Sequence, residues 1–414
     1  MIARKIEQKL IDGLKNFRVV MLNGPRQSGK TTLVKHIAKK LEMDYITLDE
    51  REKLNLAKVD PKNFLKFFTK NKKVVIDEIQ FAPELIPYIK MIVDEENLKG
   101  KFLLTGSADF MKMHKITESL AGRMVRYTLY TLSNAELNRK NQNIIDALLS
   151  DDFINLRNYG DLEDVLKAII RGGYPEVIEL PQNVRNDWFA SYIDSRIEKD
   201  ILALKSISLS KLFYVKKLLQ LLATYDAQLL NYDNIAKRIK LDNKTVLSYV
   251  TLLEAMYIVK RLSSYNVNTA LRVIKSAKIH FLDTGLLSYL LGLDIENLFL
   301  HKDDKYGNII ETFVYLELLK EASYAKDNVQ IYHFRDLKKK EVDLIVENRS
   351  GNVIAIEVKA KAIIKSNDLK GLVKFAKESQ KRFLRGYIFY GGDEIIPIAQ
   401  DGFLFFCIPL GVLA

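Results

Sequence analysis

Cysteine is almost absent from this 414-residue sequence, in which Cys407 is the only example. A single thiol excludes an internal disulfide and any zinc cluster built on cysteines, and it fits a reducing compartment. Long apolar runs are also missing: residues 402–414 are fewer than the ~20 of a membrane-spanning helix, and Pro409 interrupts them. Residues 1–15 mix charges with single apolar residues, unlike a signal peptide. We therefore expect a soluble, cytoplasmic protein with no membrane partner.

Proline is scarce as well, with 8 residues, and the sequence shows neither an internal repeat nor a low-complexity linker. Hydrophobic residues make up 48% of the chain and charged residues 28%, which is typical of a folded globular protein and not of a disordered one. At 414 residues the chain is longer than one ordinary hydrophobic core, so we expect two or three domains.

The excess of basic residues is local. The net charge is +12, and two windows account for it: residues 231–278 hold nine Lys and Arg against three Asp and Glu, and residues 361–385 hold eight against two. Such a charge balance permits binding to a polyanion without demanding it. Nucleic acid is therefore one candidate partner, and these two windows are where it would be contacted.

Residues 18–107 alternate short apolar runs with helical patterns, which is typical of βα units around a parallel sheet. The apolar runs are residues 18–23, 44–49, 74–79 and 101–107. The pattern then becomes mostly helical, and later it returns to mixed α/β, with a predicted helix over residues 308–322 and predicted strands over residues 330–334, 342–346 and 353–357. We predict an α/β protein with domains over residues 1–150, 151–280 and 281–414.

The segment after the first apolar run fits the G-x-x-x-x-G-K-[ST] pattern of a phosphate-binding loop, or P-loop. It consists of Gly24, Pro25, Arg26, Gln27, Ser28, Gly29, Lys30 and Thr31, followed by Thr32. Glycines let such a loop curl, so that its N–H groups and the start of the next helix face the β-phosphate of a nucleotide. We predict that Lys30 reaches the β- and γ-phosphates and that the Thr31 hydroxyl binds Mg²⁺. The alternative is a glycine-containing turn that matches the pattern by chance.

A later apolar run, residues 74–76, ends in Asp77 and Glu78. This order puts Asp77 at the metal ion and Glu78 where a carboxylate orients or deprotonates the attacking water. Taken alone, such a run is more often an ordinary strand with a polar end. Because it follows a phosphate-binding loop in a βα setting, it predicts an ATP-hydrolysing site with ATP and Mg²⁺ as its ligands.

Two further positions are candidates for contact with the γ-phosphate. Residues 101–107 form an apolar run that ends in the hydroxyls of Thr105 and Ser107, and ligand groups collect at the carboxyl ends of parallel strands. Arg123 is a candidate arginine finger or sensor, because a guanidinium stabilises charge on a transferring phosphoryl group. The alternatives are a strand-capping turn for the hydroxyls and a solvated surface side chain for Arg123.

Residues 232–262 predict a helix-turn-helix, with its turn at Asp242 and Asn243. The start of the second helix is where such motifs meet DNA, so Lys244 and Thr245 are candidate contacts. The basic stretch over residues 260–278 is predicted to form a wing. The alternative is a winged-helix module that only packs against the ATPase core.

An acidic and basic set lies near the far end of the chain. Asp343 falls in one predicted strand, and Glu357 and Lys359 fall in the next. Alternation along a strand puts Glu357 and Lys359 on one face, where a carboxylate and an ammonium can share a metal-bound water. Glu311, on the preceding helix, can add a third carboxylate. We predict a metal site at Asp343 and Glu357, against the alternative of ordinary surface charges on amphipathic strands.

Taken together, these motifs resemble a large group of prokaryotic ATPases that join an AAA-type core to a C-terminal domain of unknown function. That domain is similar to the restriction-endonuclease, or PD-(D/E)XK, fold. The resemblance is carried by residues 24–32, 75–80, 104–107, 120–123, 171–175, 283–286, 308–311, 341–343 and 357–359. It implies an AAA-like P-loop domain, a helical and winged-helix middle and a restriction-endonuclease-like C-terminal domain.

Two functions remain open at this point. The first is a DNA-associated ATPase whose C-terminal domain cuts, with the nucleotide state gating access. The second is a signalling or scaffold switch whose C-terminal domain binds protein and does not cleave. A transcription regulator that uses only the winged helix is a weaker third. The intact set of Asp343, Glu357 and Lys359 favours the first, and the partners to consider are ATP, DNA, unidentified proteins and further copies of the chain.

Overall fold

The computed structural model describes residues 2–70, 72–107, 120–197, 209–266, 268, 272, 276–300, 304–336 and 338–414. The chain forms two compact units. The N-terminal unit comprises Met1–Leu132 with Ala255–Ile258, and the C-terminal unit comprises Ser133–Glu254 with Val259–Ala414. Over the described part of the chain, no helix combines the length and the apolarity that crossing a lipid bilayer requires.

The N-terminal unit is built on a five-stranded sheet in the order β2-β3-β4-β1-β5, and every neighbouring pair runs parallel. Its strands are β1 (Val19–Asn23), β2 (Asp44–Thr47), β3 (Val74–Asp77), β4 (Phe102–Gly106) and β5 (Met124–Thr128). Its helices are α1 (Glu7–Asn16), α2 (Lys30–Lys40), α3 (Arg51–Val59), α4 (Pro61–Thr69) and α5 (Leu85–Glu96). The carboxyl ends of β1, β3 and β4 therefore meet at one edge of the sheet.

Three of these strands are unbroken apolar runs in the sequence because they are buried on both faces. Every residue of β1, β3 and β4 is buried, whereas the edge strands β2 and β5 are partly exposed. Parallel strands covered by helices on both faces lose the alternation of a half-exposed sheet. Phe64 of α4 and Ile89 of α5 belong to the same hydrophobic cluster as the strand residues Val19, Ile76 and Leu104.

The C-terminal unit begins with helices. These are α6 (Asn134–Leu137), α7 (Ile144–Leu149), α8 (Leu162–Arg171), α9 (Gln182–Ser191) and α10 (Leu209–Ala223). Two more, α11 (Tyr232–Ile239) and α12 (Asn243–Ala255), follow each other across a short turn, as the helix-turn-helix pattern predicts. A small antiparallel sheet in the order β6-β8-β7 accompanies them. Its strands are β6 (Gln228–Leu229), β7 (Val259–Leu262) and β8 (Lys278–Phe281).

Two glycine-containing motifs of the C-terminal unit fit into each other. The Gly173 N–H donates to the Asp283 carboxylate at 2.9 Å. Gly172 has φ +71, and a Cβ there would lie 2.5 Å from the same carboxylate and 2.9 Å from the backbone of Gly285. Only glycine allows this close approach, so residues 171–175 and 283–286 owe their sequence pattern to packing.

A six-stranded mixed sheet completes the C-terminal unit, in the order β13-β14-β12-β11-β10-β9. Its strands are β9 (Val329–Arg335), β10 (Glu341–Asn348), β11 (Val353–Lys359), β12 (Phe383–Tyr390), β13 (Ile396–Gln400) and β14 (Phe403–Pro409). The β11–β12 and β12–β14 pairs are parallel, and the other pairs are antiparallel. The accompanying helices are α13 (Thr284–Leu291), α14 (Ile295–Leu300), α15 (Asp304–Ala322) and α16 (Lys370–Ser379).

The predicted fold class is confirmed: a parallel sheet at the N-terminus, a helical middle and a mixed sheet at the C-terminus within an α/β protein. The predicted strands over residues 330–334, 342–346 and 353–357 correspond to β9, β10 and β11. Residues of the second and third predicted domains share one compact unit, and the division between units falls at Leu132. Of the predicted wing, residues 267, 269–271 and 273–275 lie outside the described residues.

Candidate functional site

Residues 24–29 connect the carboxyl end of β1 to the start of α2 and form a tight loop. Gly24 has φ +153, and a Cβ there would lie 2.1 Å from the carbonyl oxygen of Leu129. Gly29, directly before the helix, has φ 91. Both positions require glycine, because a side chain would be strained and at Gly24 would collide with backbone. Helix N-termini bind anions through the N–H groups of their first turn, so the start of α2 is where an anion in the loop would be bound.

Lys30 is the first residue of α2 and is only 4% exposed. Its ammonium donates to the carbonyl oxygens of Gly24 at 3.0 Å and Pro25 at 2.7 Å. The Ser28 hydroxyl donates to the Pro25 carbonyl at 2.9 Å, and the Arg4 guanidinium donates to the Ser28 carbonyl at 2.7 Å. The loop is therefore already folded around the lysine, whose carbonyl partners are neutral acceptors that a phosphate can replace.

The remaining residues of the predicted loop lie at its rim. The Arg26 guanidinium is 6.0 Å from the ring centroid of Phe81, within cation–π range. Gln27 has φ 59, the left-handed conformation, which is uncommon for a residue with a side chain. Thr32 is exposed on α2.

Asp77, at the carboxyl end of β3, collects hydrogen bonds from several hydroxyls. It is 1% exposed. Thr31 donates to its Oδ2 at 2.8 Å, Tyr45 donates to the same oxygen at 2.6 Å, and Thr105 donates to its Oδ1. Burial, and then the hydrogen bond to Asp77, raise the pKa of Tyr45 above its ordinary value, so this hydroxyl stays a donor. The structure thus brings together the two predicted magnesium ligands, Thr31 and Asp77.

Glu78 follows Asp77 in a left-handed conformation with φ 61, and it is 9% exposed. Its N–H donates to the Thr105 hydroxyl at 3.1 Å. The side-chain amide of Gln80 donates both to the Glu78 carboxylate and to the Ser107 hydroxyl, the latter at 2.9 Å. Gln80 therefore links the predicted base to the predicted phosphate sensor, a role that the sequence alone did not assign to it.

Arg123 lies away from this group of side chains. Its carbonyl accepts from the Val19 N–H at 3.2 Å, directly before β5, and its guanidinium forms a bidentate pair with Asp94, with an Nη2–Oδ2 distance of 2.9 Å. The P-loop follows the carboxyl ends of the same parallel strands, so roughly 15 Å of strand separates the two places. Arg123 therefore does not reach the P-loop of its own chain, and its predicted role stays open only toward the nucleotide of a neighbouring copy.

The predicted C-terminal set does converge, and Lys278 joins it. Asp343 lies on β10, Glu357 and Lys359 on β11, and Glu311 on α15. The Lys278 ammonium is 2.7 Å from Glu311 Oε1 and 3.7 Å from Asp343 Oδ1. Lys359 donates to Glu357 Oε1 at 2.7 Å, and the N–H of Val358 donates to Asp343 Oδ2 at 2.8 Å.

Burial dominates the acid–base properties of this set. Burial, and then the charge of Asp343, raise the pKa of Glu357 to about 8. Burial lowers the pKa of Lys278, but the carboxylates of Glu311 and Asp343 outweigh it and hold that pKa above its ordinary value. The pKa of Lys359 is raised in the same way by Glu357 and Asp343.

The carboxylates of this set do not fit a divalent metal as arranged. Lys278 occupies the space between Glu311 and Asp343, and the second oxygen of Asp343 is taken by a backbone N–H. Within the described ranges, no three or more His, Cys, Asp and Glu side chains are grouped so that they could hold a metal ion. The structure therefore brings Asp343 and Glu357 of the predicted metal site together, but the ammonium of Lys278 lies among the carboxylates.

The helix-turn-helix keeps several basic side chains exposed. Lys237, Arg238 and Lys240 are exposed on or just after α11, and Lys244 is exposed in the first turn of α12. The turn is fixed by Asp242, which accepts from the Thr245 N–H at 2.9 Å. These positions are open to phosphate contacts.

Other basic residues of the two windows are neutralised within the C-terminal unit. Arg261 pairs with Glu254 at 2.6 Å and Arg272 with Glu347 at 2.6 Å. In the second window, the pairs are Lys361 with Asp368 at 2.7 Å, Lys374 with Glu378 at 2.9 Å, Lys377 with Asp401 at 2.8 Å and Arg385 with Asp151 at 2.5 Å. Four of the eight basic residues of the second window are thus paired with carboxylates, while Lys365, Lys370, Lys381 and Arg382 are exposed.

Comparisons with known proteins agree with the N-terminal geometry. Residues 16–138 match an AAA domain, residues 162–297 match a domain of unknown function (DUF8612), and residues 306–412 match another (DUF4143). The AAA match supports an ATP-binding ATPase of the AAA type. The DUF4143 match leaves the restriction-endonuclease resemblance untested, since that domain has no assigned function.

The chain is also similar to several whole proteins. An uncharacterised protein of Mycobacterium tuberculosis is 29% identical over 343 residues, which are 82% of this chain and 70% of the relative. One from Haemophilus influenzae is 22% identical over 407 residues, 94% of each chain. Among solved structures, the Walker-type ATPase of Pyrococcus abyssi has a TM-score of 0.42 at 15% identity, covering 70% of this chain and 96% of that one.

Proposed function

We propose that the chain binds ATP with Mg²⁺ at residues 24–32 and hydrolyses it, with Glu78 as the residue that orients or deprotonates the attacking water. One observation carries this proposal. At the edge where β1, β3 and β4 end, the Thr31 hydroxyl lies 2.8 Å from the Asp77 carboxylate, next to the loop that encloses Lys30. A phosphate-binding loop beside a strand-end carboxylate is the arrangement that phosphoryl transfer requires.

The loop supplies the phosphate contacts in this proposal. Its N–H groups and the start of α2 bind the phosphate oxygens. The Lys30 ammonium exchanges the carbonyls of Gly24 and Pro25 for the β- and γ-phosphates, where its charge offsets theirs. Ser28 still donates to the Pro25 carbonyl, and Arg4 to the Ser28 carbonyl, when the lysine leaves the carbonyls, so these two contacts help to keep the loop folded.

Thr31 and Asp77 fit Mg²⁺, which prefers oxygen ligands and is commonly held by one or two protein side chains plus substrate phosphates. A bound ion would be held by Thr31 and Asp77 and would offset the negative charge of the phosphates. Tyr45 and Thr105 orient the Asp77 carboxylate by donating to it. Asp77 is thus held in one orientation by residues from β2 and β4.

Glu78 is positioned by its neighbours in the proposed reaction. Its backbone is fixed by the hydrogen bond to Thr105, and its carboxylate is held by Gln80, which also holds Ser107. A general base must lie within hydrogen-bond reach of the water it activates, so fixing Glu78 beside the phosphate site contributes to turnover. In this proposal Gln80 is a positioning residue for Glu78, and Ser107 senses the γ-phosphate.

Calorimetric titration with Mg-ATP tests the binding step. Wild type should bind, and Lys30→Ala should abolish detectable binding, because the loop N–H groups alone do not offset the phosphate charge. Lys39→Ala is the matched control: it removes a lysine from the exposed face of the same helix and should leave affinity unchanged. Equal affinities for wild type and Lys30→Ala would overturn the proposal.

We also infer that the C-terminal unit associates with nucleic acid through the start of α12. The exposed Lys244 in the first turn of α12, with Lys237, Arg238 and Lys240 beside it, supports this role. ATP turnover would then be coupled to a DNA-bound module. The alternative remains a nucleotide-dependent signalling or scaffold switch, in which the C-terminal unit binds protein and does not cleave. Retention of labelled duplex DNA at low salt separates the two.

A further inference from the structure

Lys278 is the least expected member of the C-terminal set. It opens β8, a strand of the small sheet beside the helix-turn-helix, and its side chain is 6% exposed. Its ammonium lies between a carboxylate from helix α15, Glu311 at 2.7 Å, and a carboxylate from the large sheet, Asp343 at 3.7 Å. A cation therefore already stands where three structural elements converge.

The remaining oxygens of the set show how little room is left for another cation. Asp343 Oδ2 accepts from the Val358 N–H, and Glu357 Oε1 accepts from Lys359. Glu357 Oε2 is buried and has no hydrogen-bond partner among the described residues. One carboxylate oxygen thus remains buried without a partner in the described part of the chain, while Asp343 Oδ2 and Glu357 Oε1 are already taken by an N–H and an ammonium.

Two ammonium groups already accompany the carboxyl groups of the set. Glu311, Asp343 and Glu357 supply three carboxyl groups, and Lys278 and Lys359 supply two ammonium groups. Even with all three carboxyl groups ionised, a divalent ion added beside both ammonium groups would leave an excess of buried positive charge, which is costly.

The strand that carries Lys278 is held at both ends. Lys278 pairs with Leu262 on β7 and with Leu229 on β6. At the other end of β8, the Phe281 N–H donates to Asp226 at 2.9 Å, and Asp226 in turn accepts from Thr312 of α15 at 2.5 Å. The helix that presents Glu311 is therefore tied to the strand that presents Lys278, which fixes the backbone of the lysine beside the carboxylates.

We propose that the Lys278 ammonium is the resident cation of the Glu311–Asp343–Glu357 cluster, and that it excludes a divalent metal ion from it. In the domain that resembles a restriction endonuclease, the position of the metal ion is then filled by Lys278, a side chain from the small sheet. The C-terminal unit would accordingly not perform metal-dependent phosphodiester cleavage. This inference is independent of the ATP site, because all residues involved lie in the C-terminal unit.

Binding of Mn²⁺ to the full chain without nucleotide, followed by electron paramagnetic resonance, tests the proposal. Wild type and Asp343→Asn should bind the same amount of Mn²⁺. Lys278→Met keeps an unbranched chain of similar length without charge, and it should bind about one additional Mn²⁺ per chain through the carboxylate oxygens that the ammonium no longer occupies. That gain should disappear in the double variant Lys278→Met with Asp343→Asn. Mn²⁺ should raise the Tm of Lys278→Met more than it raises the Tm of wild type, because the Thr31 and Asp77 site is present in both proteins.

Two outcomes would overturn the proposal. One is a loss of bound Mn²⁺ when wild type is compared with Asp343→Asn, which would show that the cluster holds metal despite Lys278. The other is a folded Lys278→Met, checked by circular dichroism, that binds no more Mn²⁺ than wild type. If Lys278→Met does not fold, the comparison of wild type with Asp343→Asn decides alone, since it needs no substitution of the lysine.

Discussion

The carboxylate of Asp77 is held in one orientation before any ligand binds. Three hydroxyls donate to it, from Thr31, Tyr45 and Thr105, and the pKa of Tyr45 is raised, so that its proton stays in place. A carboxylate that accepts several hydrogen bonds has a fixed orientation. Because it is buried, losing those hydrogen bonds would cost free energy. Glu78, the next residue along the chain, therefore lies beside a carboxylate of fixed orientation.

At this scale we expect Glu78→Gln to bind Mg-ATP with wild-type affinity and to lose turnover. Glutamine has nearly the same shape as glutamate, so it can keep the contact with Gln80, but its amide cannot take a proton from water. The loss should be about 10²- to 10⁴-fold, the usual contribution of a general base. Phosphate release and calorimetry measure the two effects separately. Hydrolysis by Glu78→Gln at the wild-type rate would remove Glu78 from the reaction.

Asp226 provides a pH-dependent contribution to stability. It is 3% exposed, and burial raises its pKa from 3.8 to about 7. Hydrogen bonds from Thr312 and the Phe281 N–H, and the charge of Lys278, limit the rise without cancelling it. Between these two pH values the folded chain holds a proton that the unfolded chain has released. Stability therefore falls as pH rises through this window, by up to about 1.4 kcal/mol per pH unit for this group.

We expect Asp226→Asn to remove this part of the pH dependence, because asparagine resembles the protonated aspartic acid. Relative to wild type, the variant should gain stability on going from pH 5 to pH 7.5, by roughly 1–3 kcal/mol. Thermal unfolding of both proteins at the two pH values measures the change in their difference. Burial lowers the pKa of His280, so the stability that this residue contributes is lost as pH falls. His280 is present in both proteins, so its contribution cancels in the difference between them. Asp187→Asn, at an exposed position of α9, is the control and should show no such change.

Residues that act within one stretch of chain were predictable, and those that act across the fold were not. The P-loop could be identified because its glycines, lysine and threonine are contiguous and their spacing is dictated by a phosphate. The role of Lys278 could not be predicted, because its partner Glu311 lies 33 residues away in the sequence. Within a basic segment, nothing in the sequence distinguishes this lysine from its neighbours. Arg123 shows the same limit: its type fits a phosphate, but its position at the amino end of β5 depends on the sheet.

At the scale of elements, complete burial made three strands of the N-terminal sheet easy to recognise. The fully buried strands β1, β3 and β4 produce unbroken apolar runs and were predicted within a residue or two of their ends. The edge strand β5 is partly exposed and includes Arg126, so no comparable run marks it. Helix α16 and strand β13 were also not predicted: basic residues recur along the helix, and β13 is mostly exposed.

Helix α16 packs so closely on β10 that one position in it requires glycine. A Cβ on Gly371 would lie 2.0 Å from the carbonyl oxygen of Glu341, a backbone atom that cannot move aside alone. Gly371→Ala should therefore push the helix away from the sheet and destabilise the C-terminal unit by about 1–3 kcal/mol or more, as overpacking does. Thermal unfolding followed by circular dichroism measures this as a lowered Tm.

Gly307→Ala is the matched control for this prediction. Gly307 lies in helix α15, where a Cβ would meet no atom within 4 Å. There alanine should be neutral or stabilise the chain by up to about 1 kcal/mol, because it restricts the unfolded state and favours helix. If both substitutions lower the Tm equally, the close approach of α16 to β10 does not account for the effect at Gly371.

At the scale of the whole molecule, the distribution of charge matters more than its sum. The net charge of +12 arises from two windows of the sequence, yet they differ in the structure. In the second window, Lys361, Lys374 and Lys377 pair with carboxylates within 3 Å. Around the helix-turn-helix, Lys237, Arg238 and Lys244 are exposed on adjoining helices. A polyanion bound at the start of α12, as proposed above, should therefore depend on Arg238 and Lys244 more than on the paired Lys374 and Lys377.

Binding of duplex DNA through the helix-turn-helix should weaken steeply with salt, because phosphate contacts release counterions. With six to ten phosphates contacted, affinity should fall roughly 10³- to 10⁵-fold between 50 and 200 mM salt. Replacing Arg238 and Lys244 with alanine should weaken binding and lower the salt slope by about two, since each removed cation neutralises one phosphate. Replacing Lys374 and Lys377, whose charges are already offset, should change the slope little. Equal effects of both double substitutions would contradict the assignment to the first window, and no salt-sensitive retention by wild type at 50 mM would favour the protein-binding switch.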